Sequence, residues 1–414
     1  MNPSPPRFID REKLMSCVHC GLCLQSCPTY TELGTEADSP RGRILLLRAL
    51  EEGKIDPTED VIGHLDSCLG CRACEPACPS GVPYGSLIEA ARPFLEKHRS
   101  PPARLARSTL DAMLTRAPLR NALAAPLGLV AGKPWAAKLA RATSSSLLAY
   151  AAALPARRKT PRSPQRLDPE GAHRGTALLL TGCVAETSFP ETAVAIGRLL
   201  TQAGVRVLLP SKPTCCGALS MHLGQEERAR ELGRDLTESS YDGSIQWYVP
   251  TASGCGAHLR GYEELLDEDP RAGEIASRTR DPLELLAELG LPPAKSPIAE
   301  TVAIHDPCHL VHAQGVKEAP RRLLAEIPEM EFVDLPEAEY CCGSAGTYNL
   351  TERPLAKRLL ERKLDAIEST GARIIAAANP GCLLQIRAGA ILRGLPLEIV
   401  HPVELLARSQ NLLD

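Results

Sequence analysis

The sequence predicts an α+β chain of several domains, in which a helical N-terminal part is followed by two copies of an open α/β unit. The positions of its 16 cysteines carry this prediction. Eight cysteines lie in residues 17–78, none lies in residues 79–182, and the other eight recur with one spacing in residues 183–382. A chain of 414 residues is long enough for two or three domains of roughly 150 residues each.

The N-terminal cysteines form two runs with the same spacing. The pattern Cys-x2-Cys-x2-Cys-x3-Cys-Pro extends from Cys17 to Pro28 and again from Cys68 to Pro79. In two-cluster ferredoxins this run provides three thiolates to one [4Fe–4S] cluster, while its fourth cysteine ligates the other cluster. We therefore expect two [4Fe–4S] clusters with exchanged fourth ligands. The expected sets are Cys17, Cys20, Cys23 and Cys78 for the first cluster, and Cys68, Cys71, Cys74 and Cys27 for the second.

The segment between the two runs indicates that this ferredoxin part is helical. Its 40 residues carry aliphatic side chains at helical spacing, as in PRGRILLLRALEEG. We place the helical ferredoxin domain at residues 1–100. Two zinc sites are the alternative, but zinc does not explain a third cysteine, a fourth one three residues later and a trailing proline, twice.

Residues 101–174 form a cysteine-free segment. Good helix formers predominate up to residue 154, with helix breaks expected at Pro118, Pro126 and Pro134. A Pro- and Arg-rich linker follows, with a domain boundary near residues 160–174. Basic residues interleaved among the aliphatic ones are typical of a solvated helix face, and a partner or membrane-surface helix is the alternative.

The C-terminal half contains an internal repeat. Cys183 is followed after 31 residues by Cys-Cys-Gly and after 37 more by Cys255, and Cys308 is followed after 32 residues by Cys-Cys-Gly and after 38 more by Cys382. Two copies of one unit are therefore present, which we place at residues 175–296 and 297–414.

Each repeat alternates short apolar runs with helical patterns, which predicts βαβ units and an open parallel sheet. In such sheets ligands bind at the carboxyl ends of the strands. The isolated cysteines follow the predicted strands, so we expect them at that edge. The eight candidate ligands are Cys183, Cys215, Cys216, Cys255, Cys308, Cys341, Cys342 and Cys382.

Four cysteines in each repeat are enough for a further iron–sulfur cluster or a zinc ion. Thiol–disulfide chemistry and buried thiols with a packing role are the alternatives. Several histidines accompany these cysteines and are candidate ligands or proton carriers, although each is more typical of a hydrogen-bonded side chain. They are His222, His258, His305, His309 and His312.

Composition excludes several other classes of protein. A net charge of −3 with 3% aromatic residues provides neither a basic surface nor a stacking platform for nucleic acid. No run of apolar residues is long enough to span a bilayer, and the N-terminus lacks the pattern of a secretory signal. We expect a cytoplasmic chain, with peripheral attachment to the inner face of the cytoplasmic membrane left open.

The motifs together resemble the iron–sulfur subunit of bacterial glycolate oxidase, also called glycolate dehydrogenase. The resemblance extends from about residue 10 to the C-terminus and rests on a few segments. They are CVHCGLCLQSCPTY, SPRGRI, HLDSCLGCRACEPACPSGV, CCGALSMHLG, TASGCGA, HDPCHLVHAQG and CCGSAGTYNL.

The resemblance implies FAD-containing partner subunits that oxidise glycolate to glyoxylate and pass electrons to this chain, and then to a quinone or another acceptor. The sequence has no G-x-G-x-x-G fingerprint of its own, in agreement with substrate chemistry on a partner. Two alternatives are the iron–sulfur subunit of a D-lactate or glycerol-3-phosphate dehydrogenase, and a thiol–disulfide reductase of the heterodisulfide type.

One departure from the wider heterodisulfide reductase superfamily concerns noncubane clusters. Cysteine-rich domains of that superfamily often end in Cys-x2-Cys and bind such clusters with five cysteines. Here His258 stands three residues after Cys255, and Gln385 stands three residues after Cys382. The fifth ligand is missing, and we therefore do not expect noncubane clusters.

Overall fold

The computed structural model describes residues 8–156, 165–267 and 269–413. These residues form a helical N-terminal part, a helical connecting segment and two α/β units, which confirms the predicted fold class. The linker predicted near residues 160–174 lies partly outside the described residues.

The ferredoxin part is built from short helices joined by the two cysteine loops. The helices are α1 (Arg11–Met15), α2 (Pro28–Leu33), α3 (Pro40–Glu51), α4 (Glu59–Asp66) and α5 (Tyr84–Lys97). Ser39 caps α3 by accepting a hydrogen bond from the Gly42 N–H at 2.9 Å. A side chain at Gly42 would place its Cβ 1.9 Å from the Glu36 carbonyl oxygen, so this turn requires glycine. Aliphatic side chains from α3, α4 and α5, among them Leu47, Leu65 and Leu87, form the core.

Four helices occupy the connecting segment. They are α6 (Pro101–Thr115), α7 (Ala117–Leu127), α8 (Pro134–Ala142) and α9 (Ser146–Ala153). Pro118 and Pro134 lie in first turns, where the missing N–H costs no hydrogen bond. The break expected at Pro126 was wrong, because this residue lies inside the last turn of α7. Alanines of α8 and α9 pack against the C-terminal repeat, where their small side chains allow close approach.

The first repeat contains a four-stranded sheet in the order β1-β3-β2-β4. Its strands are β1 (Arg166–Leu167), β2 (Gly175–Leu180), β3 (Val205–Leu208) and β4 (Trp247–Pro250). β2 pairs in parallel with β3 and β4, and only the edge strand β1 is antiparallel. Its helices are α10 (Cys183–Ser188), α11 (Pro190–Gln202), α12 (Ala218–His222), α13 (Glu226–Ser240), α14 (Ser253–Leu259), α15 (Tyr262–Leu265), α16 (Pro270–Arg278) and α17 (Pro282–Leu289).

The second repeat has a fully parallel sheet in the order β6-β5-β7-β8. Its strands β6, β5 and β7 correspond to β3, β2 and β4, and its fourth strand lies at the opposite edge. Its strands are β5 (Thr301–His305), β6 (Glu331–Val333), β7 (Ile374–Ala377) and β8 (Glu398–Val400). Its helices are α18 (Cys308–Val311), α19 (Glu318–Ala325), α20 (Tyr348–Thr351), α21 (Arg353–Thr370), α22 (Pro380–Arg393) and α23 (Pro402–Ser409). One hydrophobic core, which includes Leu199 and Leu324, extends through both repeats. The two repeats therefore pack as a pair.

Candidate iron–sulfur and metal sites

The first cysteine loop lies near the surface beside the end of the second loop. Burial is the largest cause that raises the pKa of the Cys23 thiol. Hydrogen bonds oppose this shift, and the neighbouring sulfurs of Cys17 and Cys78 add to it. Cys20 is exposed on the turn that contains Gly21, whose φ is +85°. The structure thus places Cys78 of the second run near Cys17 and Cys23 of the first.

The second group of thiols is more deeply buried. Cys27 is the residue that precedes α2, and Pro28 opens this helix, so the chain turns away directly after the cysteine. Burial and then the nearby sulfurs of Cys71, Cys68 and Cys27 raise the pKa of Cys74 well above its ordinary value. Cys27 from the first run therefore lies with the three cysteines of the second run.

Hydrogen-bond donors surround the buried sulfurs. The Gly70 N–H donates to Cys68 Sγ at 3.4 Å, and the Tyr84 hydroxyl lies 3.6 Å from the same sulfur. The Thr29 hydroxyl lies 3.2 Å from Cys27 Sγ. Thiolate quartets with N–H and O–H donors inside an apolar core are the surroundings of iron–sulfur clusters, and these residues fit such a group.

A buried arginine lies beside this second group. Arg43 is 1% exposed and donates to the His64 carbonyl, the Thr29 hydroxyl and the Ser67 hydroxyl. Burial opposes its charge, but the sulfurs of Cys68 and Cys27 are among the neighbours that raise its pKa above the ordinary value. Arg43 also pairs with the largely buried Asp38 carboxylate at 3.5 Å. A positive charge with this counter-ion therefore lies near the thiolates, and the sequence analysis missed it.

In the first repeat, the four cysteines form two contacting pairs. The hydrogen bond with the Cys215 thiol lowers the pKa of Cys183, and that with Cys255 raises the pKa of Cys216. Gly217 turns the chain with a φ of +87°, and a Cβ there would lie 2.8 Å from the Ala229 carbonyl oxygen. The repeat spacing thus gathers all four thiols at the carboxyl edge of the sheet, as expected.

In the second repeat, the sulfurs follow one another in a row. Cys308 contacts Cys341, Cys341 contacts Cys342, and Cys342 contacts Cys382. The Gly343 N–H donates to Cys341 Sγ at 3.4 Å, and the Asn379 amide donates to Cys382 Sγ at 3.5 Å. This row begins near the ferredoxin part. Burial raises the pKa of Cys71, and the sulfur of Cys308 is the next largest cause of that shift, so the two cysteines lie near each other.

Buried histidines fill the junction between the ferredoxin part and both repeats. The His309 Nε2–H donates to the Gly70 carbonyl at 3.0 Å, and Arg92 donates to His222 Nδ1 at 2.6 Å. The two rings stack with their centroids 5.7 Å apart. Burial lowers the pKa of His222 and His309, and that of His258 to about 4, so these rings are neutral at pH 7.

The structure separates the three histidines that the sequence placed around Cys308. His309 faces Gly70, and His312 approaches Glu339 with Nε2 4.0 Å from the carboxylate. His305 turns instead toward Cys342 and Cys382, and its ligand atom and theirs all lie within 4.8 Å of one another. Burial lowers the pKa of His305 well below its ordinary value, which leaves a neutral imidazole.

Comparisons with known proteins agree with this organisation. A sequence profile described as a "4Fe-4S dicluster domain" matches residues 13–82, and one described as a "Cysteine-rich domain" matches residues 177–260 and 302–387. The "Probable glycolate oxidase iron-sulfur subunit" of Bacillus subtilis (strain 168) is 36% identical, with 97% of this chain and 95% of that protein covered. The "Glycolate oxidase iron-sulfur subunit" of Escherichia coli (strain K12) is 35% identical, with 89% and 88% covered.

A shorter relative shares only part of the chain. The "Lactate utilization protein A" of Geobacillus kaustophilus (strain HTA426) is 30% identical over 55% of this chain and 97% of its own length. The lactate-related alternative therefore fits only in part.

A dicluster ferredoxin domain joined to two cysteine-rich domains defines an iron–sulfur protein that transfers electrons as one subunit of an oxidoreductase complex. The chain belongs to the family of glycolate oxidase iron–sulfur subunits, as the coverage of two such relatives shows. Among the described residues, no helix has the length and apolarity needed to cross a membrane.

Proposed function

We propose that this chain relays electrons from an FAD-containing partner, which oxidises glycolate to glyoxylate, to a quinone. Oxidation of glycolate releases two electrons and two protons, and the flavin of the partner takes up the electron pair. Two bound [4Fe–4S] clusters, on the two quartets that the sequence predicts, would pass these electrons on one at a time. The quinone takes up two electrons and two protons.

The series of sulfurs supports this relay more than any other observation. Cys20 is exposed in the first group, Cys27, Cys68 and Cys74 are buried in the second, and Cys71 of the second group lies near Cys308. Redox groups that transfer electrons must come close to one another, and one of them must reach the surface. The arrangement supports an entry at Cys20 and a second, buried group beside the second repeat.

An apolar patch marks this entry as the contact with the partner. Val18 and Leu22, on either side of Cys20, are 68% and 61% exposed, and Met15 is 45% exposed. Exposed aliphatic side chains around a redox group favour a protein partner, because burial against that partner removes them from water. We assign the FAD-containing subunit to this patch.

The connecting segment also carries exposed apolar side chains. Leu105, Leu129 and Leu147 are 69%, 76% and 79% exposed, and Trp135 is 53% exposed. Aliphatic and Trp side chains in a helical segment that also carries Lys and Arg are typical of peripheral membrane contact. We propose that this segment contacts the cytoplasmic membrane, where the quinone is found.

The test uses the anaerobically purified complex with its partner subunits. Glycolate is expected to bleach the absorbance of the clusters, while D-lactate and glycerol 3-phosphate bleach it more slowly. Leu22→Asp is expected to abolish bleaching by glycolate but not by dithionite, and to leave binding to anionic lipid vesicles unchanged. Leu147→Asp is the matched control and should weaken vesicle binding only. Equal loss in both variants, or faster bleaching by another substrate, would refute the assignment.

A further inference from the structure

The two repeats differ at two buried positions beside their cysteines. His305 is the last residue of β5, where the first repeat has Leu180 at the end of β2. Lys363 is the eleventh residue of α21, and the eleventh residue of α13 is Leu236. All four side chains are buried, and the two leucines belong to the apolar core of the first repeat. The second repeat therefore buries two polar groups that the first does without.

The buried imidazole of His305 lacks a hydrogen-bond partner in the described part of the chain. It is 1% exposed, and neither of its nitrogens makes a hydrogen bond among the described residues. The nearby Ala338 carbonyl already accepts from the Asp306 N–H at 3.1 Å and from Lys363 Nζ at 3.3 Å. A buried polar group without a partner is unfavourable, which indicates that something else binds this ring.

Lys363 points to negative charge at the same place. Its side chain is 1% exposed, and its ammonium donates to the carbonyls of Glu337 and Ala338, which are neutral. Burial lowers the pKa of Lys363 to about 8, while the sulfurs of Cys342 and Cys341, the Glu337 carboxylate and the sulfur of Cys382 oppose that shift. A buried cation needs compensating anions, and the cysteines of this row lie among the groups that can supply them.

We propose that His305, Cys342 and Cys382 bind a single Zn²⁺ ion, and that the first repeat has no equivalent site. Zinc binds thiolates at about 2.3 Å and imidazole at about 2.0 Å in a tetrahedron, which places the ligand atoms about 3.5–3.8 Å apart. The three ligand atoms already lie within 4.8 Å of one another. A cubane distributes its cysteines over separate irons, so atoms this close suit one ion better.

The fourth position of the tetrahedron faces the remaining sulfurs of the row. Cys341, which contacts Cys342, is the next donor available. Zinc has no redox chemistry of its own, so its role here is structural. The ion would join the end of β5, the Cys-Cys-Gly turn and the start of α22, and thereby fix Cys308 against Cys71.

The test compares two histidines of the same segment in the full chain, purified anaerobically. Zinc per chain and iron per chain are measured by elemental analysis, and zinc neighbours by X-ray absorption. The wild type is expected to contain one zinc with both sulfur and nitrogen neighbours. Changes to groups around a bound metal weaken its affinity about 10–100-fold, and His305→Leu, which restores the residue type of the first repeat, should weaken zinc binding at least as much. His312→Leu should retain the zinc.

A further variant covers the case in which His305→Leu does not fold. His305→Cys keeps a zinc ligand, so it should retain the ion and replace the nitrogen neighbour by sulfur, with unchanged iron. Several results would overturn the proposal: no zinc in the wild type, zinc without a nitrogen neighbour, zinc that survives His305→Leu with its nitrogen neighbour intact, or an iron–sulfur cluster on these residues. Each differs from failure of the proposed electron relay, which is measured by glycolate-dependent bleaching.

Discussion

At the residue scale, Arg43 is expected to tune the second cluster. Its guanidinium is buried beside Cys68 and Cys27, and a positive charge favours the reduced cluster because reduction adds an electron. Arg43→Met should therefore lower the reduction potential of that cluster by roughly 50–100 mV, the size expected for one unit charge near the cluster at an effective dielectric constant of about 20. Arg43→Lys keeps the charge and should largely keep the potential. Potentiometric titration followed by electron paramagnetic resonance measures both.

The matched control for this prediction is Arg48→Met. Arg48 lies in the same helix, but its side chain is 38% exposed and pairs with Glu52 at 3.1 Å. Solvent screens its charge, so the potentials should not move. An equal shift in Arg43→Lys and Arg43→Met would show that packing, and not charge, sets the potential.

The exchange of fourth ligands predicts which cluster each cysteine holds. Cys27→Ala should damage the buried cluster with Cys68, Cys71 and Cys74, and Cys78→Ala should damage the exposed one. Electron paramagnetic resonance of the reduced variants counts the cluster that remains. In Cys78→Ala the buried cluster remains, and adding Arg43→Met should lower its reduction potential. In Cys27→Ala the exposed cluster remains, and a lower potential on adding Arg43→Met would contradict the exchange.

Sequence predicted the cysteine groups but not the charges around them. Ligand spacing is local, so two runs with one pattern were enough to predict that Cys27 and Cys78 each ligate the cluster of the other run. Arg43 and Lys363 lie on helices at positions that otherwise carry buried aliphatic residues. From sequence alone, a charged side chain on a helix is predicted to be exposed to solvent. Their partners, which are carbonyl and hydroxyl groups together with nearby sulfurs, come from other segments and meet only in three dimensions.

At the scale of elements, the last helix, α23, is expected to depend on pH through its N-terminal cap. His401 is buried and accepts a hydrogen bond from the Val403 N–H at 3.2 Å, and burial lowers its pKa to about 3. The unfolded chain, with an ordinary pKa near 6.5, binds the proton first, so stability is complete above pH 6.5 and is lost as the pH falls toward 3. From pH 7 to pH 5 this residue should remove about 2 kcal/mol of the free energy of unfolding.

The measurement compares thermal unfolding of the wild type and His401→Asn at pH 7 and pH 5. Asparagine also caps helices but does not titrate, so the variant should lose less stability on acidification. The difference between the two proteins isolates His401 from the other buried histidines. Equal losses would mean that the cap tolerates protonation.

The sequence analysis did not predict the strands β1 and β8, which have the weakest local sequence pattern. β1 has two residues and β8 has three, which is too short for an alternating or apolar pattern to stand out. Both are edge strands, and pairing with a longer neighbour determines them. The break predicted at Pro126 was wrong because a helix can include a proline in its last turn and end directly after it, as α7 does.

At the scale of the whole molecule, two carboxylates fasten the ferredoxin part to the repeats with different expected strength. Glu32 on α2 is 12% exposed and pairs with Arg358 and Arg362 of the second repeat, each at 3.3 Å. Glu264 of the first repeat is 66% exposed and pairs with Lys13 at 2.6 Å. Exposed pairs contribute about 0–1 kcal/mol, and Glu32 should lie at the upper end of that range, because its carboxylate is largely buried although Arg358 and Arg362 are 53% and 37% exposed.

Glu32→Ala should therefore loosen the contact between α2 and α21, and Glu264→Ala should not. Hydrogen exchange is expected to accelerate in α2 and in the first turns of α21 in Glu32→Ala, with α13 unchanged as an internal reference. Because Cys27 directly precedes α2, loosening this contact should disturb the second cluster, and its single-turnover oxidation should slow in Glu32→Ala. Faster exchange with an unchanged rate of oxidation would show that this contact does not govern electron transfer.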